Sequence, residues 1–75
     1  MKFGRKFVER LGAGRARAVV GDVLPCLRSG DRLVEIGAGS CQVAAGLGEA
    51  GYDVTPVDVQ DLCIVPGMKP ILSGP

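Results

Sequence analysis

A pair of glycines and an acid twenty-one residues after the first of them are the residues of this chain best suited to hold a small molecule. The segment Glu35-Ile36-Gly37-Ala38-Gly39-Ser40-Cys41 lies where a β-branched run gives way to a weakly helical one. Gly37 and Gly39 let the backbone turn sharply and let a ligand approach without Cβ atoms in the way. The start of the following helix presents unpaired amide donors to the same space. Asp58 ends the next β-like run, where a carboxylate accepts bonds from both hydroxyls of a ribose. A glycine turn with an acid at this distance is the layout for an adenosine-containing ligand. The dinucleotide form of that layout requires G-x-G-x-x-G, and its last position here is Gln42. Glu35 stands two residues before Gly37, where a carboxylate suits a cationic amino-acid group better than a pyrophosphate.

Other chemistry is excluded by composition. The 75 residues include no His, so a histidine base, a histidine metal site and a Ser-His-Asp triad are absent from this sequence. Cys26, Cys41 and Cys63 form no C-x-x-C pair, which argues against zinc. They read as free buried thiols of a reducing compartment, with Cys41 and Cys63 packing residues rather than nucleophiles. No apolar run reaches the roughly 18 residues that cross a bilayer, and Asp22 and Pro25 interrupt the one stretch resembling a signal segment. A cytoplasmic location is the expectation, with no membrane partner.

The net charge of +1 conceals an asymmetry: residues 1–32 hold eight basic and three acidic side chains, and residues 33–75 hold one and five. A basic amino-terminal arm can contact nucleic acid, although such runs are more often solvated helix faces, and that reading is preferred.

The elements that must position the glycine turn are legible in outline. Residues 1–14 read as a basic lead-in, because Gly4, Gly12 and Gly14 interrupt helix. The spacing of Val19, Val20, Val23, Leu24 and Leu27 predicts a helix over 15–24 with one apolar face, ended by Pro25. RSGD at 28–31 reads as a turn. LVEIG at 33–37 reads as a strand buried on both faces, as in a parallel sheet. A short helix over 40–51 follows, capped by Gly51. Residues 52–59 read as a second strand, placed at an edge or made irregular by Pro56. Ile71–Leu72 suggests a third. Strand, glycine turn, helix and strand make a βαβ unit with a right-handed crossover. The fold class expected is therefore α/β.

LVEIGAGSCQVAAGLGEAGYDVTPVDV resembles the opening of a class I S-adenosylmethionine-dependent methyltransferase. That family opens on an acid-x-G-x-G-x-G run, and its next strand ends in an acid. The resemblance covers about residues 31–59. It implies a partial Rossmann-like, doubly wound parallel sheet, with 15–75 the amino-terminal part of the domain and the 15–24 helix its cover helix. It further implies S-adenosyl-L-methionine as cofactor, with Glu35, Gly37, Ala38 and Gly39 lining its methionine and ribose region. Asp58 would take the ribose hydroxyls and Val59 would border the adenine. Cys41 stands where the family usually has its third glycine, and Pro56 where glycine is common.

The family's acid after a third strand would fall at Leu72-Ser73-Gly74-Pro75, where there is none. The expectation is an amino-terminal fragment, inactive alone, whose methyl acceptor the sequence does not identify. Two alternatives stand beside it: a non-catalytic Rossmann-like interaction module, and a nucleotide- or NAD-binding relative. A lone βαβ unit also leaves a strand edge open to pairing with another copy.

Overall fold

The structure, a computed structural model, describes residues 5–74. Its elements in chain order are α1 (Arg5–Val23), a 3-10 turn (Leu24–Cys26), β1 (Arg32–Ile36), α2 (Gln42–Glu49), β2 (Asp53–Asp58) and β3 (Ile71–Leu72). Both strand pairs are parallel, in the order β1-β2-β3. The fold class is α/β, as the sequence predicts.

The first departure is the length of α1. It runs unbroken through Gly12 and Gly14, where the sequence reading had a lead-in end at residue 14. Glycine costs a helix interior about 1 kcal/mol against alanine, and tertiary packing outweighs that here. A Cβ at Gly12 would collide with the Gln42 side chain, and one at Gly46 would stand 2.9 Å from Val20 Cγ2. These glycines let α1 and α2 approach closely. The expected apolar face is the one turned inward: Ala16, at its centre, is buried, Val20, Val23, Leu24 and Leu27 are half-buried, and only Val19 at its rim is exposed. Of the basic lead-in, residues 1–4 lie outside the described residues. Pro25 ends the helix as expected, seating itself in the 3-10 turn.

The RSGD turn forms as read. Asp31 N donates to Arg28 O at 3.1 Å, while Arg28 N donates back to Asp31 Oδ2 at 2.8 Å. α2 stops at the predicted glycine: Gly51 has φ +100°, Gly51 N bonds Gly48 O and Tyr52 N bonds Leu47 O. That pair of bonds is the Schellman arrangement, which satisfies carbonyls the helix end would leave unpaired.

Two expectations about the strands fail. β1 is not buried on both faces: Leu33 and Glu35 are half-buried, but Val34 and Ile36 are 62% and 78% exposed. α2 packs on β2, and α1 packs on α2, so no described element covers the face bearing Val34 and Ile36. Pro56 sits in the central strand, buried, rather than at an edge. The pairing explains its tolerance. Val57 O faces β1, where it accepts from Gly37 N, and Asp58 O faces β3, where it accepts from Ser73 N. Alternation along a strand therefore turns the Pro56 nitrogen toward β3, whose pairing begins only at Val57. The missing donor falls where the neighbouring strand has not started.

Candidate functional site

The turn between β1 and α2 gathers most of the residues singled out in the sequence. Three successive odd positions take left-handed backbone: Gly37 at φ +71°, Gly39 at +53° and Cys41 at +66°. Glycine adopts that region freely, and a residue with a Cβ does so at about 1–2 kcal/mol. No heavy atom lies within 4 Å of where a Gly37 Cβ would stand, and the nearest to a Gly39 Cβ is Gly37 O at 4.0 Å. The glycines therefore leave open space above the turn rather than relieve a clash with the protein.

The turn is bolted to the end of β2. Val57 O accepts from both Gly37 N (2.8 Å) and Ala38 N (3.0 Å), and Cys41 N closes back on Ala38 O at 2.9 Å. Asp58 completes the anchorage. Its Oδ2 accepts from Gly39 N and its Oδ1 from Val59 N, each at 2.7 Å. The Gly39 bond, then the Val59 bond, hold this carboxyl below the usual aspartate range, with a smaller contribution from the Gln60 amide. A carboxylate offers about four acceptor directions, so at least one remains for a ligand hydroxyl beyond the Gly39 and Val59 bonds. The sequence assigns Asp58 to the end of the second strand as a ribose acceptor; that it also holds the turn's shape is a feature of the structure.

Glu35 lies on the half-buried side of β1. Its Oε1 is sealed from solvent and has no hydrogen-bond partner, and burial pushes its carboxyl above the ordinary value of 4.5. An unpaired buried carboxylate oxygen is costly and is relieved by a proton or a cation. Val59 is exposed beside the turn. The structure thus brings together Gly37, Ala38, Gly39, Asp58 and Val59 directly, with Glu35 on the strand leading into them.

The cysteines behave differently from one another. Cys26 is exposed and Cys41 is fully buried at the N-cap of α2, so the expectation of uniformly buried thiols fails. Burial, then a hydrogen bond with the Cys63 thiol, push the Cys41 thiol up to about 12, aided by the charges of Cys63, Glu35 and Asp61. Cys63 therefore neighbours the turn, a contact that nothing in the spacing of three cysteines signals.

A groove of about 650 Å³ lies elsewhere, between α1 and α2, with Ala16, Val20, Ala45, Gly46 and Val65 in its walls. None of the six candidate residues lines it. Among the described residues no cluster of three or more His, Cys, Asp or Glu could hold a metal ion, and no helix is long and apolar enough to cross a membrane. Comparison of the chain with protein-family models, curated proteins and solved structures finds no match.

Proposed function

We propose that the chain is the cofactor-binding amino-terminal portion of a Rossmann-like, S-adenosyl-L-methionine-dependent methyltransferase, working in the cytoplasm on an acceptor held by other parts of the protein. One observation carries the choice of ligand. The amides of Gly37, Ala38, Gly39 and Cys41 are already engaged within the protein, and one of them is held by a carboxylate. Phosphate binding at such turns depends on free amide donors, and these four turn amides offer a pyrophosphate none, with a carboxylate charge beside them. An adenosyl ligand with a cationic sulfonium and ammonium is compatible with that environment. This weighs against the NAD-binding alternative.

In this reading Gly37 and Gly39 supply the approach, Asp58 offers its remaining acceptor direction to a ribose hydroxyl, and Val59 borders the adenine. The charge of Glu35 favours the cationic amino-acid end. The bound cofactor supplies an electrophilic methyl group. The chain's own contribution is alignment, which can remove a large part of a barrier without covalent catalysis.

A second reading, a non-catalytic interaction module, draws on the uncovered sheet face and on the outer edge of β1, which among the described residues pairs with no strand. There a second copy could add to the sheet. Calorimetric titration with S-adenosylhomocysteine, NAD and ATP separates the readings. S-adenosylhomocysteine should bind most tightly; equal or tighter NAD binding would overturn the proposal, and no binding at all favours the module. A radiolabelled methyl-transfer assay on the 75-residue chain alone should show no turnover.

A further inference from the structure

We propose that Cys41 and Cys63 are a modification site: a dithiol that closes reversibly to an intramolecular disulfide on meeting a low-molecular-weight disulfide such as oxidised glutathione. The backbone sets up the pair. Ile64 N donates to Ser40 O at 3.1 Å, tying the loop after β2 to the glycine turn. Cys63 and Cys41 are the residues immediately adjacent to that bond, one on each segment. That bond brings the backbones carrying the two thiols side by side. Disulfides span Cα separations of about 4.4–6.8 Å, a range that two residues beside a shared backbone bond reach with little movement. Each sulfur at present rests on a weak acceptor, Cys41 Sγ on Gly39 O and Cys63 Sγ on Val65 O, both at 3.7 Å. Rotation away from those carbonyls gives up little.

The two positions divide the chemistry. Cys63 is half-buried and Cys41 is sealed, so Cys63 meets the oxidant first. Its thiolate attacks one sulfur of the glutathione disulfide, that S–S bond breaks, and one glutathione leaves as a thiolate that takes up a proton. Cys41 then attacks the Cys63 sulfur, its proton passes to solvent, and the second glutathione leaves. Two electrons move from the protein dithiol to glutathione, which is fully reduced. With the Cys41 thiol pushed up to about 12, its thiolate is scarce near neutrality, and the second step is the slow one. Cys26 lies apart in the 3-10 turn, its sulfur 3.8 Å from Asp22 O. The inference does not depend on which ligand the turn holds.

The test is peptide mapping by mass spectrometry after native incubation of the chain with oxidised glutathione, acid quench and alkylation. A Cys41–Cys63 cross-link should dominate in the parent and in Cys26→Ser, and dithiothreitol should reverse it. Cys63→Ser should yield no cross-link to Cys41. Closure should accelerate about tenfold per pH unit, following the thiolate fraction, whereas in concentrated urea the selectivity should dissolve into all three pairings. A statistical mixture in the folded protein, a dominant pair containing Cys26, or glutathione lodged on Cys63 without closure at any pH would each overturn the assignment.

Discussion

Replacing Gly39 by alanine separates what the turn does for the fold from what it does for a ligand. The residue has φ +53°, and the new methyl group would meet nothing nearer than Gly37 O at 4.0 Å. The stability cost is therefore backbone strain alone, about 1–2 kcal/mol. Alanine also restricts the unfolded chain, which returns about 0.4–1 kcal/mol, leaving a net loss of about 1 kcal/mol. For a domain of this size that lowers Tm by about 4–8 °C. The methyl group projects into the space a ligand would occupy, so S-adenosylhomocysteine should bind at least about tenfold more weakly, equivalent to about 1.4 kcal/mol. Gly48→Ala is the matched control. It is exposed, its φ is not positive, and no heavy atom lies within 4 Å of the added carbon. It should stabilise by about 0.5–1 kcal/mol and leave binding unchanged. Urea titration and calorimetry on both variants read the two effects separately. A folded Gly39→Ala protein that binds as the parent does would refute the placement of ligand over this turn.

Gly46→Ala should destabilise by about 1–3 kcal/mol in urea titration, because its methyl would press on Val20 Cγ2 at 2.9 Å and Val20 is stiff at χ1; a gain matching Gly48→Ala would mean that the helices are not held so close. Asp58 has its carboxyl lowered in the folded state, so its contribution is present above the ordinary aspartate value of 3.8 and is lost as pH falls through the folded value. Asp58→Asn should flatten that acid limb of the stability curve and weaken S-adenosylhomocysteine binding, and an unchanged acid limb would contradict the Gly39 and Val59 bonds. Glu35 runs the other way: its carboxyl is raised, so stability declines as pH climbs from 4.5 through the folded value. Glu35→Gln should remove that decline, as pH-dependent denaturation would reveal. Ile36→Lys, at a position 78% exposed, should change stability by no more than about 0.5 kcal/mol and should reduce any self-association seen by sedimentation.

The parts of the fold that local chemistry dictates were readable from residue types. Gly30, Gly37, Gly39 and Gly51 all adopt the positive φ that glycine permits, and between them they mark the turns that delimit the βαβ unit. The errors came where a distant residue decides the outcome. Gly12 reads as a break because propensity does not see Gln42 or the close crossing of the helices, whereas nothing packs against Gly14 to explain its place in the helix. Pro56 reads as an edge or irregular position because its tolerance inside the central strand depends on where β3 begins. Val34 and Ile36 read as core because a β-branched run signals strand equally well whether one face or both are covered. At the site, the spacing of Gly37 and Asp58 relates two segments that the structure joins. Their direct connection through Gly39 N depends on side-chain geometry that spacing does not encode.

The register of the sheet has a consequence for how the chain finds its fold. Every β1 residue from Arg32 to Ile36 pairs with the residue 21 positions later, and the two β2–β3 pairs are each 14 apart. Among the described residues no strand waits for a distant partner, so each closure is a short loop search whose entropy grows only slowly with length. Sheets assembled from near neighbours fold faster than those built from remote pairings. The sheet can therefore close soon after residue 72 has been synthesised, and the glycine turn takes its shape in the same event, because Val57 and Asp58 anchor both.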